Sequence, residues 1–416
     1  MRRVLLIAYH YPPARGSSGL QRTLKFSRYL SEFGWQPSVL TVAPRAHPAV
    51  GTDQLADIPT DVEVARTFAL DTARHLSLRG AYPGWLALPD RWASWILSAV
   101  PAGLGIIRRT RIDAIWSTYP IATAHVIGLA LARLSGRPWI ADFRDSMTED
   151  NYPADPRVRR VYRSIERRVL LRSARAVFTT SGTLRMYQER YPEVPAARLR
   201  VIENGYDEEN FAAAERKLPA VAPNRPLTLV HSGILYPSER DPTAFFGALQ
   251  DLKRAGSLDA SRLRIILRAT GHDAHIATLI AQFEVGDLVE LAPAIAYEDA
   301  LAEIMTADGL LLFQAANCNH QIPAKLYEYL RAGRPVFALT DDAGDTAVTL
   351  RAAGLDAIAP LDQRTVIAVR LTKFIADIVT GSAKLAIPEL AARYSRRSQA
   401  RELAALLEEL ISAVAD

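Results

Sequence analysis

Residues 4–42 read VLLIAYHYPPARGSSGLQRTLKFSRYLSEFGWQPSVLTV, and this stretch decides the fold class. It begins with an apolar run of strand length at 4–9, which ends in a Pro-Pro turn and the glycine-rich loop at 16–19. Apolar residues then recur at helical spacing as far as Gly34, a candidate C-terminal cap, and residues 37–42 form a second predicted strand. A strand, a glycine loop, a helix and a strand in this order predict a parallel βαβ unit.

The same alternation continues through the chain of 416 residues. Further strands are predicted at 112–117, 138–142, 176–180, 227–231, 263–268, 288–291, 309–313 and 335–339. An Ala- and Pro-rich stretch without hydrophobic period, 212–226, separates two series of strands and is predicted to be a linker. We therefore predict an α/β protein with two Rossmann-like, doubly wound domains, at 1–211 and 227–385, and a ligand cleft formed by the carboxyl ends of both sheets.

The end of the chain and its charge add two expectations. Residues 387–414 carry one helical apolar stripe, which must pack against another part of the protein.

Residues 1–205 hold 29 Lys and Arg against 17 Asp and Glu, so the net charge of this half is +12, whereas that of the remainder is −7. A basic half indicates an anionic partner, either lipid phosphate or nucleic acid. Nucleic acid is the weaker choice, because the chain shows no basic recognition motif with aromatic stacking positions.

A basic amphipathic helix is predicted at 157–172, with seven arginines and one glutamate interleaved with aliphatic residues. Together with Trp85, Trp92, Trp95 and the apolar stretch 92–107, it favours peripheral binding to an anionic membrane surface. The alternative is a solvated face on an Arg-rich protein. Segment 92–107 is shorter than the ~20 residues that a membrane-spanning helix needs.

The cysteine content and the first residues favour a cytoplasmic location. Cys318 is the sole cysteine, so neither an intrachain disulfide nor a cysteine-based zinc site is expected. The apolar run at 4–9 is too short for a signal peptide and is followed by His10 and a Pro-Pro pair. We therefore expect a protein of the cytoplasm, peripheral at the inner face of the plasma membrane.

Two candidate sites follow strands of the first half. The loop Gly16, Ser17, Ser18, Gly19 precedes a helix and suits an anion, although a tight turn explains a lone glycine loop equally well. Asp142, Arg144 and Asp145 follow the strand at 138–142, at the edge where open sheets bind ligands, or could instead form a helix cap with a local ion pair. The chain has no Asp-x-Asp motif and no histidine pair at ligand spacing, so no metal site is predicted.

Polar and basic residues are denser at two strand ends of the second half. Ser232 and Gly233 end one strand, and Tyr236 and Arg240 precede the next helix. Lys325 and Glu328 are three residues apart at the start of a later helix, where Lys could bind phosphate and Glu could accept from ribose hydroxyls. An exposed ion pair is the commoner explanation for each alone. The co-occurrence of these residues in one domain favours a diphosphate site.

Five segments together resemble the retaining nucleotide-sugar glycosyltransferases of family 4, which have two Rossmann domains in the GT-B arrangement. They are AYHYPPARGSSGLQR at 8–22, PWIADFRD at 138–145, VIENGYDEENF at 201–211, HSGILYPSERDP at 231–242 and PAKLYEYLRAGRPVFAL at 323–339. The resemblance covers nearly the whole chain. It implies that the donor binds the C-terminal domain, that the acceptor binds the N-terminal domain, and that the final helix, 386–416, crosses back to the first domain.

The resemblance assigns roles to individual residues. Arg240, Lys325 and Glu328 are the expected catalytic residues, with Arg240 and Lys325 on the diphosphate and Glu328, the second glutamate of the Glu-x7-Glu signature, on the ribose. The first glutamate is replaced by His320, and Pro323 stands where the family often has glycine. The remaining donor contacts are expected at Gly16, Ser17, Ser18, Gly19, Ser232, Gly233, Tyr236, His320, Gln321, Ala324 and Leu326. The acceptor is expected at Thr118, His125, Asp142, Arg144 and Asp145.

The implied function is transfer of a sugar, with retention and without a metal or other cofactor, from a UDP- or GDP-sugar substrate. The expected acceptor is a glycan or a polyprenyl-diphosphate-linked glycan in bacterial exopolysaccharide, capsule or lipopolysaccharide assembly. Two alternatives remain open: a nucleotide-sugar 2-epimerase of the same architecture, and a non-catalytic glycosyltransferase-like binding protein, which the missing first glutamate permits.

Overall fold

The computed structural model describes residues 1–15, 19–52, 54–150, 152–219 and 224–415. The chain divides into two compact units, one made of 1–204 with 396–416 and the other of 205–395. Each unit is built around its own parallel sheet, which confirms the predicted α/β class.

The first unit contains a seven-stranded sheet within the described residues, in the order β3-β2-β1-β4-β5-β6-β7. Its strands are β1 (Arg2–Ile7), β2 (Trp35–Val42), β3 (Glu63–Thr67), β4 (Ala114–Thr118), β5 (Trp139–Phe143), β6 (Arg175–Phe178) and β7 (Leu199–Val201). Its helices are α1 (Gly19–Tyr29), α2 (Thr72–His75), α3 (Trp95–Thr110), α4 (Ala122–Ser135), α5 (Pro156–Arg172), α6 (Ser181–Arg190) and α15 (Arg396–Ala415).

Both faces of this sheet are covered, as the continuous apolar run of β1 requires. Leu5 and Ile7 belong to one buried cluster, whereas Val4 and Leu6 belong to another on the opposite face. The second cluster includes Leu403 and other residues of α15, which packs on α1. The last helix of the chain, α15, therefore belongs to the first unit.

The second unit contains a six-stranded sheet within the described residues, in the order β10-β9-β8-β11-β12-β13. Its strands are β8 (Leu227–Ser232), β9 (Leu263–Arg268), β10 (Val289–Ala292), β11 (Gly309–Phe313), β12 (Val336–Leu339) and β13 (Ile358–Ala359). Its helices are α7 (Glu208–Glu215), α8 (Thr243–Arg254), α9 (Asp273–Gln282), α10 (Tyr297–Thr306), α11 (Ala324–Ala332), α12 (Asp345–Ala352), α13 (Arg364–Val379) and α14 (Pro388–Ala392).

Strand order reverses once in each sheet, between β1 and β4 in the first unit and between β8 and β11 in the second. In open parallel sheets, ligands bind beside the carboxyl ends of the two strands that flank such a switch point. A ligand site is therefore expected at the loops that follow β8 and β11 in the second unit, and at those that follow β1 and β4 in the first.

Two segments differ from the sequence prediction. The predicted linker at 212–226 overlaps α7, because Phe211 and Ala214 are buried in the core of the second unit and hold the helix there. The stripe predicted for 387–414 is divided between α14, in the second unit, and α15, in the first. Residues 220–223, also assigned to the linker, lie outside the described residues.

Candidate functional site

Gly233 forms the turn that ends β8 at the switch point of the second unit. Its φ of +112° lies in the region that favours glycine. A Cβ atom at this position would approach the Nζ of Lys325 to 3.1 Å. The glycine therefore permits both the turn and the close approach of the lysine, which the sequence motif alone did not reveal.

Lys325 is positioned by His231, a residue that sequence reasoning did not assign to the site. The Nζ of Lys325 lies 2.9 Å from the Nε2 of His231, and the Nδ1 of His231 lies 2.8 Å from the carbonyl oxygen of Leu311. Because that carbonyl can only accept, Nδ1 carries the proton and Nε2 accepts from the ammonium group. Burial and the charge of Lys325 hold the pKa of His231 well below its ordinary value. The histidine thus remains a neutral acceptor.

Lys325 and Arg240 form a pair of cations beside this turn. Neither has a carboxylate within ion-pair distance in the described part of the chain. Burial and the positive charge of Arg240 lower the pKa of Lys325 well below its ordinary value, and Glu328 opposes this only in part. An anion bound here would relieve the repulsion between the two cations.

Arg240 is held by its own loop. Its Nη1 donates to the carbonyl oxygen of Ile234 at 3.0 Å, and its guanidinium carbon lies 5.3 Å from the centre of the Tyr236 ring. The neighbouring Asp241 instead accepts from the backbone N–H of Thr243 at 3.0 Å, within the first turn of α8. The carboxylate next to Arg240 in sequence is therefore engaged elsewhere.

Glu328 does not pair with Lys325, although the two residues lie one helical turn apart. Its Oε1 accepts a hydrogen bond from the hydroxyl of Tyr297 at 2.7 Å. Tyr297 begins α10 and was also missed by sequence reasoning, because nothing in the spacing connects it to α11. The pair brings a carboxylate and an aromatic ring to the same edge of the sheet.

The loop between β11 and α11 is fixed by Gln314. Its Nε2 donates to the carbonyl oxygens of Cys318 and Gln321 at 2.7 and 2.8 Å. The loop carries His320 and Gln321, which lie partly buried and exposed, respectively, before α11. Ser232, another predicted donor contact, donates its N–H to the Tyr329 hydroxyl at 3.0 Å.

The start of α11 offers backbone donors but corrects one prediction. The N–H groups of Ala324 and Lys325 have no acceptor among the described residues, which suits an anion at the positive end of the helix dipole. Leu326 was also predicted to contact the donor, but its side chain is in the core and its N–H donates to the carbonyl oxygen of Pro323 at 2.9 Å. Leu326 therefore has no free group to offer.

In the first unit, Asp142 and Thr118 are structural rather than available for an acceptor. Asp142 is fully buried and accepts from Nε and Nη2 of Arg22 at 3.0 and 2.8 Å, and from the Thr118 hydroxyl at 2.8 Å. Arg22 donates further to the carbonyl oxygens of Ile202 and Glu203. Because a buried charge must be paired, these groups are committed to each other, which corrects the predicted acceptor role of Asp142 and Thr118.

His125 is a core histidine, which corrects the other predicted contact on this side. Its ring is fully buried, and its Nδ1 lies 2.8 Å from the Oγ of Ser117, which also accepts from the Trp139 indole. Burial alone lowers the pKa of His125 to about 3. No acceptor could reach the ring without opening the core.

Arg144 and Asp145 remain at the accessible carboxyl edge of β5. Their side chains form an ion pair of 3.2 Å, and the Asp145 side chain is half exposed. Of the predicted glycine loop, Gly19 begins α1 and is buried, whereas Gly16, Ser17 and Ser18 lie outside the described residues.

Similarity to known proteins is found for the first unit in sequence and for both units in structure. Residues 19–205 match the glycosyl transferase 4-like domain. Among curated proteins, none matches the chain in sequence. Sucrose-phosphate synthase from Thermosynechococcus elongatus has a TM-score of 0.69 at 15% identity, with 99% of this chain and 100% of that chain covered.

Two further structures have the same architecture. The Anabaena protein HepE in complex with UDP has a TM-score of 0.62 at 12% identity, with 100% of this chain and 98% of that chain covered. UDP-GlcNAc 2-epimerase from Neisseria meningitidis, bound to UDP-GlcNAc, has a TM-score of 0.55 at 12% identity, with 98% of this chain and 100% of that chain covered. At these identities the likeness shows the fold, two Rossmann-like domains.

Sequence reasoning missed a basic cluster in the first unit. His10 follows β1, His47 follows β2, and Arg66 lies on β3, where its Nη2 donates to the carbonyl oxygen of Pro12 at 2.7 Å. Burial and the charge of Arg144 lower the pKa of His10 to about 4, and burial with Arg66 lowers that of His47 to about 4. These three residues and Arg144 are far apart in sequence, so only the fold brings them to one edge.

The described residues contain no group of three or more His, Cys, Asp or Glu side chains arranged to hold a metal ion. Every helix within them falls short of the length or the hydrophobicity that crossing a membrane requires.

Proposed function

We propose that this protein is a glycosyltransferase that moves a sugar from a UDP- or GDP-sugar to a glycan or a polyprenyl-diphosphate-linked glycan. The observation that carries the proposal is the pair of Lys325 and Arg240, two cations without a carboxylate partner among the described residues, at the switch point of the second sheet. The match of residues 19–205 to the glycosyl transferase 4-like domain supports the same reaction class.

The proposed catalysis is electrostatic. When the bond between the anomeric carbon and the diphosphate oxygen breaks, negative charge develops on the leaving phosphate. Lys325, Arg240 and the free N–H groups at the start of α11 stabilise that charge where it forms. His231 keeps Lys325 in place, so little reorganisation is needed during the reaction. Because fixed cations neutralise the diphosphate, we propose that transfer is independent of a metal ion.

Glu328 is proposed to bind the ribose of the donor. Its carboxylate is oriented by the Tyr297 hydroxyl, and a carboxylate accepts well from the two ribose hydroxyls. Glu328→Ala is expected to weaken nucleoside diphosphate binding while leaving pyrophosphate binding unchanged, since pyrophosphate has no ribose. Equal affinities of the variant and wild type for the nucleotide would contradict the ribose role.

The acceptor is proposed to bind the first unit at the edge that carries Arg144 and Asp145. Asp145 is half exposed and can orient an acceptor hydroxyl, and Arg144 adds positive charge near His10. Retention of anomeric configuration, and a role in bacterial exopolysaccharide, capsule or lipopolysaccharide assembly, rest on the resemblance to family 4 glycosyltransferases. Proton NMR of the product's anomeric signal tests retention.

Peripheral membrane binding is proposed through the segment 68–97, between β3 and α3. Leu78, Trp85 and Leu97 are 81%, 71% and 80% exposed. The two acidic residues of the segment are buried, because Asp71 caps α2 and Asp90 accepts from the first turn of α4. Its remaining charged residues are arginines, so the exposed surface combines apolar and positive groups, as binding to anionic lipid requires.

The structure changes which residues support that membrane proposal. Trp92 and Trp95, taken as membrane-facing in the sequence analysis, are buried in the first unit. Val158, Ile165 and Val169 of α5 pack on the core, and the exposed residues of this helix are arginines together with Pro156 and Ser164.

The membrane proposal is tested by sedimentation with vesicles of phosphatidylglycerol and phosphatidylcholine. Trp85→Ala combined with Leu97→Ser should reduce binding roughly tenfold, since each removes an exposed apolar group. Val369→Ser, at an equally exposed apolar position on α13, serves as the control and should bind normally. Binding of wild type that does not depend on lipid charge or on salt would overturn the proposal.

The reaction is tested by incubating the full chain with UDP- and GDP-sugars, with and without lipid-linked glycan extract. Transfer of sugar to the extract, lost in Lys325→Met, is the expected result. An epimerase, a kind of enzyme found among the similar structures, would convert the donor sugar without any acceptor. A non-catalytic binding protein would bind the nucleotide sugar but would not release a nucleoside diphosphate from it as a product. Absence of binding to any nucleoside diphosphate would overturn the donor site itself.

A further inference from the structure

A cavity of about 570 Å³ lies at the amino-terminal ends of β5 and β6 in the first unit. Its walls include Pro138 and Trp139 at the start of β5, and Ala174 at the approach to β6. Residues 142–145 lie at the opposite end of β5. The cavity is therefore separate from the carboxyl edge to which the acceptor was assigned.

Five arginines and no carboxylate line this cavity. They come from α4, the loop before β5, the end of α5, the start of β6 and the turn before β7: Arg133, Arg137, Arg172, Arg175 and Arg198. Only Arg175 has an acidic neighbour among the described residues, the half-exposed Glu409 at 3.9 Å. Since guanidinium groups do not lose their protons in proteins, the positive charge of this cavity is permanent and attracts an anion.

Two buried polar groups in the cavity wall have no partner in the structure. Ser173 is 1% exposed, and its Oγ makes no hydrogen bond. The Nε of Arg175 is likewise buried and without an acceptor. Because both atoms are covered by the protein, the donors that the cavity offers a ligand are the arginine side chains that line it.

We propose that this cavity binds a phosphate group, separately from the donor diphosphate. Arginine pairs with phosphate oxygens in a bidentate manner, and five arginines line this one cavity. Leu129, Leu171 and Leu410 form an apolar wall beside the arginines, which suits a ligand that carries an apolar group next to its phosphate. The phosphate belongs either to a lipid headgroup or to a soluble phosphate ester.

The test uses the full chain carrying Lys325→Met, so that the proposed donor site contributes little. Arg172→Gln with Arg198→Gln removes two cavity cations. Arg157→Gln with Arg160→Gln, at the far end of α5, changes the net charge equally and serves as the matched control. Affinity for inorganic pyrophosphate is measured by calorimetry, and binding to phosphatidylglycerol vesicles is measured by sedimentation.

The cavity pair is expected to lose at least roughly tenfold in pyrophosphate affinity, whereas the control pair keeps it within about twofold. If the natural source is lipid, vesicle binding also falls in the cavity pair and pyrophosphate competes for it. If the source is soluble, vesicle binding is equal in the two pairs. Equal loss of pyrophosphate affinity in both pairs, or no binding of pyrophosphate by the parent protein, overturns the proposal.

Discussion

The two units differ in how the charged side chains near their strand ends are paired. In the first unit, Arg22 and Asp142 are buried and close on each other with two hydrogen bonds. In the second unit, Lys325 and Arg240 repel each other and have no carboxylate partner among the described residues. A complete buried pair leaves no charge uncompensated and is costly to break, whereas an incomplete set marks a place where a ligand's charge fits.

The largest effect is expected from Asp142→Ala, which leaves Arg22 buried without its partner. The free energy of unfolding should fall by about 3–5 kcal/mol. All six tryptophans of the chain lie between residues 35 and 139, so tryptophan fluorescence during urea denaturation reports on the first unit. Arg397→Ala, which breaks an exposed pair with Glu32, is the control and should cost less than about 1 kcal/mol. If Asp142→Ala lost no more free energy of unfolding than the control, the buried pair would not be structural and the contrast between the two units would fail.

The opposite outcome is expected for the second unit. Lys325→Met and Arg240→Ala should each weaken UDP or GDP binding about 10- to 100-fold, because each removes a charge-assisted hydrogen bond. Stability should stay the same or rise, since an unpaired cation disappears. Calorimetry and thermal denaturation measure the two quantities. Lys253→Met, which removes an exposed lysine paired with Asp287, should leave nucleotide affinity unchanged. Wild-type affinity in both site variants would show that Lys325 and Arg240 do not bind the phosphates of the nucleotide.

The depressed pKa of Lys325 makes nucleotide binding depend on protons. Its folded-state pKa lies well below the ordinary 10.5, so the unfolded chain holds more protons between those values, and Lys325 makes stability rise with pH there. A bound diphosphate raises the pKa again, so binding should be accompanied by net proton uptake at pH values between the two pKa values. Calorimetry in buffers of different ionisation enthalpy measures the uptake. Lys325→Met should abolish it, and uptake that persists in this variant would assign the proton to another group.

A smaller effect is expected from Gly233→Ala, because the new methyl group both strains the turn and approaches the Nζ of Lys325. The cost should be about 1–2 kcal/mol, with UDP affinity reduced severalfold. Gly256→Ala is the matched control, since that glycine has φ +67° with nothing within 4 Å of its would-be Cβ. It should cost stability but not affinity. Equal affinities of the two variants would mean that Gly233 serves the turn alone.

The smallest effect is expected from Tyr297→Phe, which removes the hydrogen bond to Glu328 and keeps the ring. Affinity for UDP should fall by about 0.5–1.5 kcal/mol, a few-fold, while affinity for pyrophosphate stays unchanged. Both are measured by the same calorimetric titration. If pyrophosphate binding falls as well, Tyr297 supports the phosphate site rather than the ribose site.

Much of the fold could be predicted because long apolar strands alternate with amphipathic helices. The strands at 263–268 and 309–313 were predicted with the observed bounds. β3 and β7 were missed, because they are short and carry charged residues that disguise their pattern. The final stripe was read as one helix, because periodicity does not show which compact unit a segment joins.

The candidate site was only partly predictable. Sequence identifies which residue types follow each strand, and so it found Lys325, Arg240 and Asp142 alike. Whether such a charge is already satisfied depends on partners distant in sequence, such as His231, which lies 94 residues before Lys325. Burial separates residues in the same way, since His125 differs from an accessible histidine only in what surrounds it.

The placement of α15 has a consequence for how the chain folds during synthesis. The first unit is discontinuous, because its last helix is translated only after the whole of the second unit. The part of α1 that packs on α15 therefore remains uncovered on the nascent chain while residues 205–395 are made and fold. A chaperone that shields α1 during this interval should raise the yield of folded protein, and a ribosome stalled before residue 396 should hold a first unit that is sensitive to protease.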